Sequence, residues 1–435
     1  MSTGTKATWL CVTLAAVCMT LPGATGAAAQ TPSAPPPAAT VRITIEQALD
    51  LAVKHNHTLL ALQTTIDQSR AQEITANLRP NPTIDSDAQF LPFFAPSQWS
   101  STYIDNSAQF DLGVGYLFER GRKRQHRLEA ARDQTAVTTS LVSDGERTLE
   151  MQVAEQFVAV QLAESTLAFA QQDLASFQNT VDIGEAQYKA GDIGEGDLLK
   201  IQLQLLQFQM DVSGAQVART QALASLRQSL GYDAVPEDYD VSGDLAFEPI
   251  TTGMMDLEAM ALQNRPDLRA AQQSITAAKS QFTLAEANGK VYPQGTFNYT
   301  HLSGLNTGSL FFNMQLPIFN RNQGEISRTR FAITDAEELE RAASDQVLTD
   351  VIGAYAGVHT GDEIVKLYTS GYLKEAQDSR DISEYAYKRG AASLLDFLDA
   401  ERSYRATELA YFQALASYET SLEQLRAAVG TRGIP

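Results

Sequence analysis

A chain of 435 residues with 52 acidic and 33 basic side chains carries a net charge of −19, and such an excess of carboxylates argues against nucleic acid as a partner. Its two cysteines, Cys11 and Cys18, lie in a leader-like N-terminus, so the expected mature chain has no disulfide, thiol ligand or cysteine nucleophile. No later stretch holds the eighteen continuous apolar residues of a spanning helix, so a place in a membrane would require a β-barrel.

Residues 1–29 read as an export signal: Lys6 supplies the basic end, Thr8 to Leu21 the apolar run, and Ala27-Ala28-Ala29 a small-residue cleavage site before Gln30. The mature protomer, residues 30–435, then carries a net charge of −20, because Lys6 leaves and no acidic residue precedes Gln30. Lipidation at Cys18 is a competing reading, disfavoured by the bulky Val17 ahead of it.

The first repeat is expected over about 41–231. It opens on a helix that includes Ala48 to Leu59, followed by strands at about 82–90 and 107–118. Between Ala108 and Tyr116 the residues alternate strictly, with Phe110, Leu112, Val114 and Tyr116 on one face and Gln109, Asp111, Gly113 and Gly115 on the other. That is the apolar-out, polar-in pattern of a membrane barrel strand, although half-buried soluble strands share it. The aromatic-rich loop from Leu91 to Asn106 would form an outer rim. After the basic segment Glu119-Arg120-Gly121-Arg122-Lys123-Arg124, apolar residues recur every seven positions at Val153, Val160, Leu167, Leu174, Val181 and Tyr188. A coiled-coil helix from Arg122 to Tyr188 would run about 100 Å at about 1.5 Å per residue. Glycines at Gly191, Gly194 and Gly196 then turn the chain into a second long helix.

The second repeat, about 254–430, restates this order. Ala259 to Leu268 resembles the opening helix, Pro293 parallels Pro82, and strands are expected at about 294–302 and 309–318, where Leu310, Phe312, Met314 and Leu316 alternate with polar residues and Phe311 is a blemish. Val351, Val358, Val365 and Tyr372 repeat every seven residues, and Tyr411, Leu415, Tyr418, Leu422, Leu425 and Val429 form a closing seam. Tyr188-Lys189-Ala190-Gly191 returns as Tyr387-Lys388-Arg389-Gly390, and at the same offset of 199 Asp197 meets Asp396 and Gly231 meets Gly430. An ungapped match over this length marks a duplication.

The expected fold class is mainly α with a membrane β part: a long coiled-coil α-barrel plus four strands per protomer. Four strands cannot close, and open edges in hydrocarbon leave backbone groups unpaired at several kcal/mol each. Copies must share a barrel, and three would give twelve strands. Helix pattern alone would also suit a secreted or periplasmic coiled-coil structural protein.

At the far turn, Ser393 and Asp396 fit a capping box, and Asp197 holds the matching place after Gly194. Asp399 stands one turn beyond Asp396 on the same face, too deep in the helix to cap it. In a trimer these carboxylates would form two rings, a device for selecting cations, or simply a solvated acidic face. Nothing resembles an enzyme: there is no phosphate-binding glycine loop, GxSxG elbow, HExxH or cysteine cluster. No cofactor or metal site is expected either. His55, His57, His126, His301 and His359 are scattered, and the first two point apart if they share a helix.

Together the repeated Tyr-Lys-x-Gly turn, the following Asp197-Leu198-Leu199 and Leu395-Asp396-Phe397-Leu398-Asp399-Ala400, and Leu316-Pro317-Ile318-Phe319-Asn320 after the last strand resemble the TolC-like outer-membrane efflux factor family across the mature chain. The resemblance implies a homotrimer with a twelve-stranded barrel among the lipids of a Gram-negative outer membrane and a helical tunnel across the periplasm. Its tip would dock, at turns including Gly191, Gly194, Gly390 and Ser393, on a membrane-fusion adaptor and an inner-membrane pump of the RND type. Asp396 and Asp399 fall where the family places aspartate rings, and Asp197 and Tyr387 where links hold the tip shut. An arginine some members use in that lock should lie at Ala392, which leaves a looser lock or substitution by Arg389. The segments Glu119 to Arg124 and Asn320-Arg321-Asn322-Gln323-Gly324-Glu325-Ile326 look most like the heavy-metal branch of the cobalt-zinc-cadmium type, with drugs, small toxicants or type I secretion as alternative cargo.

Overall fold

The computed structural model describes residues 41–434; the export signal expected over residues 1–29, with Cys11 and Cys18, lies outside them. The helices in chain order are α1 (Ile45–His55), α2 (His57–Asn77), α3 (Ser101–Ser107), α4 (Lys123–Ala190), α5 (Glu195–Leu230), α6 (Met254–Asn264), α7 (Pro266–Asn288), α8 (Gln323–Leu367), α9 (Leu373–Lys388) and α10 (Leu394–Val429). The strands are β1 (Arg42–Ile43), β2 (Thr83–Gln89), β3 (Gln109–Leu117), β4 (Asp240–Val241), β5 (Pro293–Leu302) and β6 (Leu305–Met314).

Thr44 starts α1 with a capping box, its hydroxyl accepting from the Gln47 N–H while the Gln47 side chain accepts from the Thr44 N–H. Asn56 then leaves helical geometry at ψ 113°, and its side-chain oxygen accepts from the Leu59 N–H to begin α2. His55 and His57 therefore lie on two helices, not on one as their spacing suggests. The second half breaks at the equivalent place with different chemistry, because Pro266 opens α7 and lacks the N–H that would continue α6. Arg265 at that break is 4% exposed and donates to Asp267, Asp350 and the Ala428 carbonyl.

The long helices are built on their seams. Val153, Val160, Leu167 and Val181 are buried along the 68-residue α4, and Val351, Val358 and Val365 along α8. At about 1.5–3 kcal/mol for each fully buried aliphatic side chain, these seams carry much of the helix pairing. Helix α4 packs on α5, α2 and α7, and α8 packs on α7 and α10. One core gathers Leu49, Phe157, Leu226, Leu230 and Val241 beside the β1–β4 pair; its second-half counterpart gathers Leu257, Leu268, Val347, Leu425 and Val429.

The two halves differ in one respect that their repetition hides. Where α4 runs unbroken, the second half is interrupted at Tyr368–Tyr372 by a π-helical turn, with Gly371 at φ +151°. Only glycine reaches that region without strain.

Four strands form one antiparallel sheet in the order β2-β3-β5-β6. Its last strand begins earlier and ends earlier than the alternation around Leu310 suggests. Ser303 and Gly304, both at positive φ, make a two-residue hairpin turn that pairs Leu302 with Leu305. At the other end Pro293 pairs with Met314 and, lacking an N–H, closes the ladder there. The register places Ile84, Phe110, Leu112, Val114, Phe297, Leu310 and Phe312 on one exposed face. Asp85, Asp87, Asp111, Asn298, Thr300 and Thr307 lie on the other, with Leu117, Leu302, Leu305 and Phe311 as its apolar exceptions. Among the described residues neither β2 nor β6 has a partner on its outer side. Among the described residues no helix is long and apolar enough to cross a membrane.

Candidate functional site

Both helix hairpins turn by the same device. Gly191 (φ +84°) ends α4, with the Asp192 N–H donating to the Gln187 carbonyl; Gly390 (φ +73°) ends the helix that α9 closes, with the Ala391 N–H donating to the Ala386 carbonyl. These are left-handed caps that satisfy the last carbonyls of each helix. The next helices start differently. Gly194 offers α5 no side-chain cap, and Asp197 pairs instead with Lys200 at 3.0 Å. Ser393 caps α10 through a complete box: its hydroxyl accepts from the Asp396 N–H, and its own N–H and O–H donate to the Asp396 carboxylate at 3.2 and 2.7 Å.

Asp396 thus both caps its helix and presents an exposed carboxylate, which the Ser393 hydroxyl and N–H hold below the usual range. One turn on, Asp399 is also exposed and pairs with Arg402. Their i,i+3 spacing stacks the two carboxylates on one helix face. Tyr387 is buried against Phe397, ring centroids 5.5 Å apart, and the stack continues through Phe177 to Phe208. Among the described residues its hydroxyl has no hydrogen-bond partner. Burial and the nearby Asp197 charge both push that hydroxyl's pKa up, so the residues are neighbours without being bonded. Ala392 offers no side-chain donor, and the exposed Arg389 stacks over Tyr385, its carbon centre 5.2 Å from the ring.

Beyond this turn, a network absent from the sequence reading ties the two hairpins together. Arg405 of α10 donates to Asp173 of α4 at 2.9 Å and to Asp211 of α5 at 2.5 Å, while lying over the Phe208 ring at 4.2 Å. Arg380 of α9 lies over Tyr404 at 4.5 Å. Burial raises Asp173 against the pull of Arg405, and burial with the neighbouring Asp173 charge pushes Glu401 up to about 7. One signal was available: Asp173 is a carboxylate inside an apolar seam, adjacent to Leu174.

On the polar face of the sheet, Asp111 accepts from Gln109 at 2.6 Å, from Asn298 at 3.2 Å and from Thr300. Among the described residues no three His, Cys, Asp or Glu side chains are grouped to hold a metal ion.

Known proteins share this architecture. The cation efflux system protein CusC of Escherichia coli strain K12 is 25% identical over 393 residues, covering 82% of this chain and 79% of that protein. The cobalt-zinc-cadmium resistance protein CzcC of Cupriavidus metallidurans is 22% identical over 380 residues, 86% of each chain. Nodulation protein T of Rhizobium leguminosarum bv. trifolii is 22% identical over 350 residues, covering 76% of this chain and 73% of that one. A crystal structure of CusC superposes with a TM-score of 0.73 at 20% identity, covering 90% of this chain and 93% of that one, and so shares the fold. The model of the outer membrane efflux protein family matches twice, at residues 48–232 and 257–431, once in each half. The chain belongs to the outer membrane efflux protein family.

Proposed function

We propose that this chain is one protomer of a homotrimeric duct that passively conducts metal cations from periplasm to exterior, driven by an RND-type inner-membrane pump through a periplasmic adaptor. The observation that carries the reading is the open four-stranded sheet. It has one apolar face, one polar face and two unpaired edges, β2 and β6, which in lipid only neighbouring copies can satisfy. Three copies supply the twelve strands of a closed barrel wide enough to conduct. An exposed apolar seam on α5, at Leu199, Leu203, Leu206, Met210 and Val217, supports the same conclusion, since its four-and-three spacing asks for a helix from another copy.

Within that assembly Asp396 and Asp399 form the gate rings, Asp197 and Tyr387 supply links between tip helices, and the turns at Gly191, Gly194, Gly390 and Ser393 receive the adaptor. The unbonded Tyr387 hydroxyl supports the link assignment, because a buried phenol without a partner costs about 1–3 kcal/mol until one arrives. Metal cargo is supported by CusC and CzcC and by the carboxylates Asp85, Asp87 and Asp111 on the polar face of the sheet. A deletion strain should lose tolerance to cobalt, zinc or cadmium salts and regain it with the intact gene. Sensitivity confined to organic toxicants would replace the metal cargo with a drug cargo.

A further inference from the structure

The strongly acidic chain carries a concentrated basic patch that neither conduction nor gating uses. All four connections between sheet and long helices leave the sheet at one end, since Thr83 pairs with Gly115, Leu117 with Gln294 and Pro293 with Met314. Those connections hold Arg79, Arg120, Arg122, Lys290 and Arg321, all exposed and none in an ion pair among the described residues, with Arg124 half-buried beside them. Their one carboxylate, Glu119, is occupied by Arg127 at 2.8 Å. Lys123 is spent internally, donating to the Lys290 carbonyl and lying over Tyr292.

The patch is built, not scattered. The stem of Lys290 lies against Gly121, where a Cβ would meet its Cδ at 2.7 Å, and Gly289 lies against the Arg321 carbonyl just as closely. The second connection thereby packs on the third, and the third on the fourth. Between the last two opens a cleft of about 500 Å³, lined by Asn288, Lys290 and Asn322 on its polar side and by Tyr292, Leu316 and Phe319 on its apolar side. Leu316, Ile318 and Phe319 are 64, 63 and 90% exposed, and Leu316 continues the apolar face of β6.

We propose that this collar binds the headgroups of anionic phospholipids in the leaflet nearest the helices, with one lipid seated in each cleft. The phosphodiester meets Lys290 and the free nitrogens of Arg321, while the first acyl carbons lie along Leu316 and Phe319. Unpaired cations directly below an apolar band match the charge and depth of a lipid phosphate layer. The inference rests on the membrane placement of the sheet proposed above.

The test is native mass spectrometry of the purified full-length assembly mixed with phosphatidylglycerol or phosphatidylcholine. Wild type should retain phosphatidylglycerol preferentially. At about fivefold per cation, the triple variant Arg120→Gln/Lys290→Gln/Arg321→Gln should lose about a hundredfold of that preference at low salt. Lys290→Arg alone should keep it, as should Arg70→Gln on α2. Equal retention of both lipids by wild type, an unchanged preference in the triple variant, or displacement of the lipid by soluble glycerol phosphate would overturn the proposal. Loss of the assembly itself in the triple variant would also overturn it, by making the patch a subunit interface. Conductance in planar bilayers keeps the two readings apart: a triple variant that conducts normally leaves the duct intact whichever way the lipid result falls.

Discussion

Replacing Asp396 and Asp399 together with Asn should weaken block of the channel by multivalent cations added at the tip side by about two orders of magnitude. In a trimer the two exposed carboxylates of each protomer become six charges around one axis. A unit pair at about 4 Å contributes about 1 kcal/mol even in bulk water, and more where the pore excludes water. Asn is chosen because Asp396 has a second task. It accepts the Ser393 N–H and O–H in the capping box, and Asn keeps an acceptor there, whereas Ala would fray the helix by about 1 kcal/mol. The exposed pair between Asp399 and Arg402 offers little competition, because solvent screens it. Each single variant should fall between wild type and the double. Planar-bilayer recordings with the blocking cation on either side check this, and unchanged block with normal conductance would remove the gate assignment.

A change of Arg405 to Leu should destabilise the helical end of the protomer by about 3–5 kcal/mol, the usual consequence of leaving one member of a buried ion pair alone. Asp173 has only 4% of its side chain exposed and takes its cation from Arg405. The effect should depend on pH with a definite sign. Asp173 and Glu401 both have raised pKa values in the folded state, Glu401 to about 7 from an ordinary 4.5, so the folded protein binds protons more readily than the unfolded one. The contribution of Glu401 therefore improves as pH falls from about 7 toward 4.5 and is lost as pH rises through that window, and that of Asp173 changes in the same direction. The Arg405→Leu defect should be largest near pH 8 and shrink as pH falls, because burial favours protonation of Asp173 and a protonated Asp173 needs no counterion. Glu401→Gln should flatten the pH dependence and raise stability above pH 7. Thermal melts of the helical signal across this range measure all three.

Much of the architecture was legible because the physics behind it is periodic. Burial of Val153, Val160 and Val181 follows from their seven-residue spacing, and the two sheet faces follow from alternation around Phe110 to Tyr116. Other features depend on single residues or distant pairs. The break at Asn56 rests on one side chain reaching the Leu59 N–H, and the break before Pro266 on an N–H that proline lacks. Duplication itself concealed the π-helical turn at Gly371, since a matching half argues for a matching helix. At the tip, the box between Ser393 and Asp396 is local and could be read; the Arg405 network joins residues 194 and 232 positions apart, a separation no spacing rule reaches.

The central claim is that single protomers cannot complete this protein. Light scattering of the detergent-extracted complex, followed by planar-bilayer recording of the same fraction, tests it most directly. A mass of three protomers with stable conductance is the expected result, and a fraction with the mass of one protomer that itself conducts would contradict it.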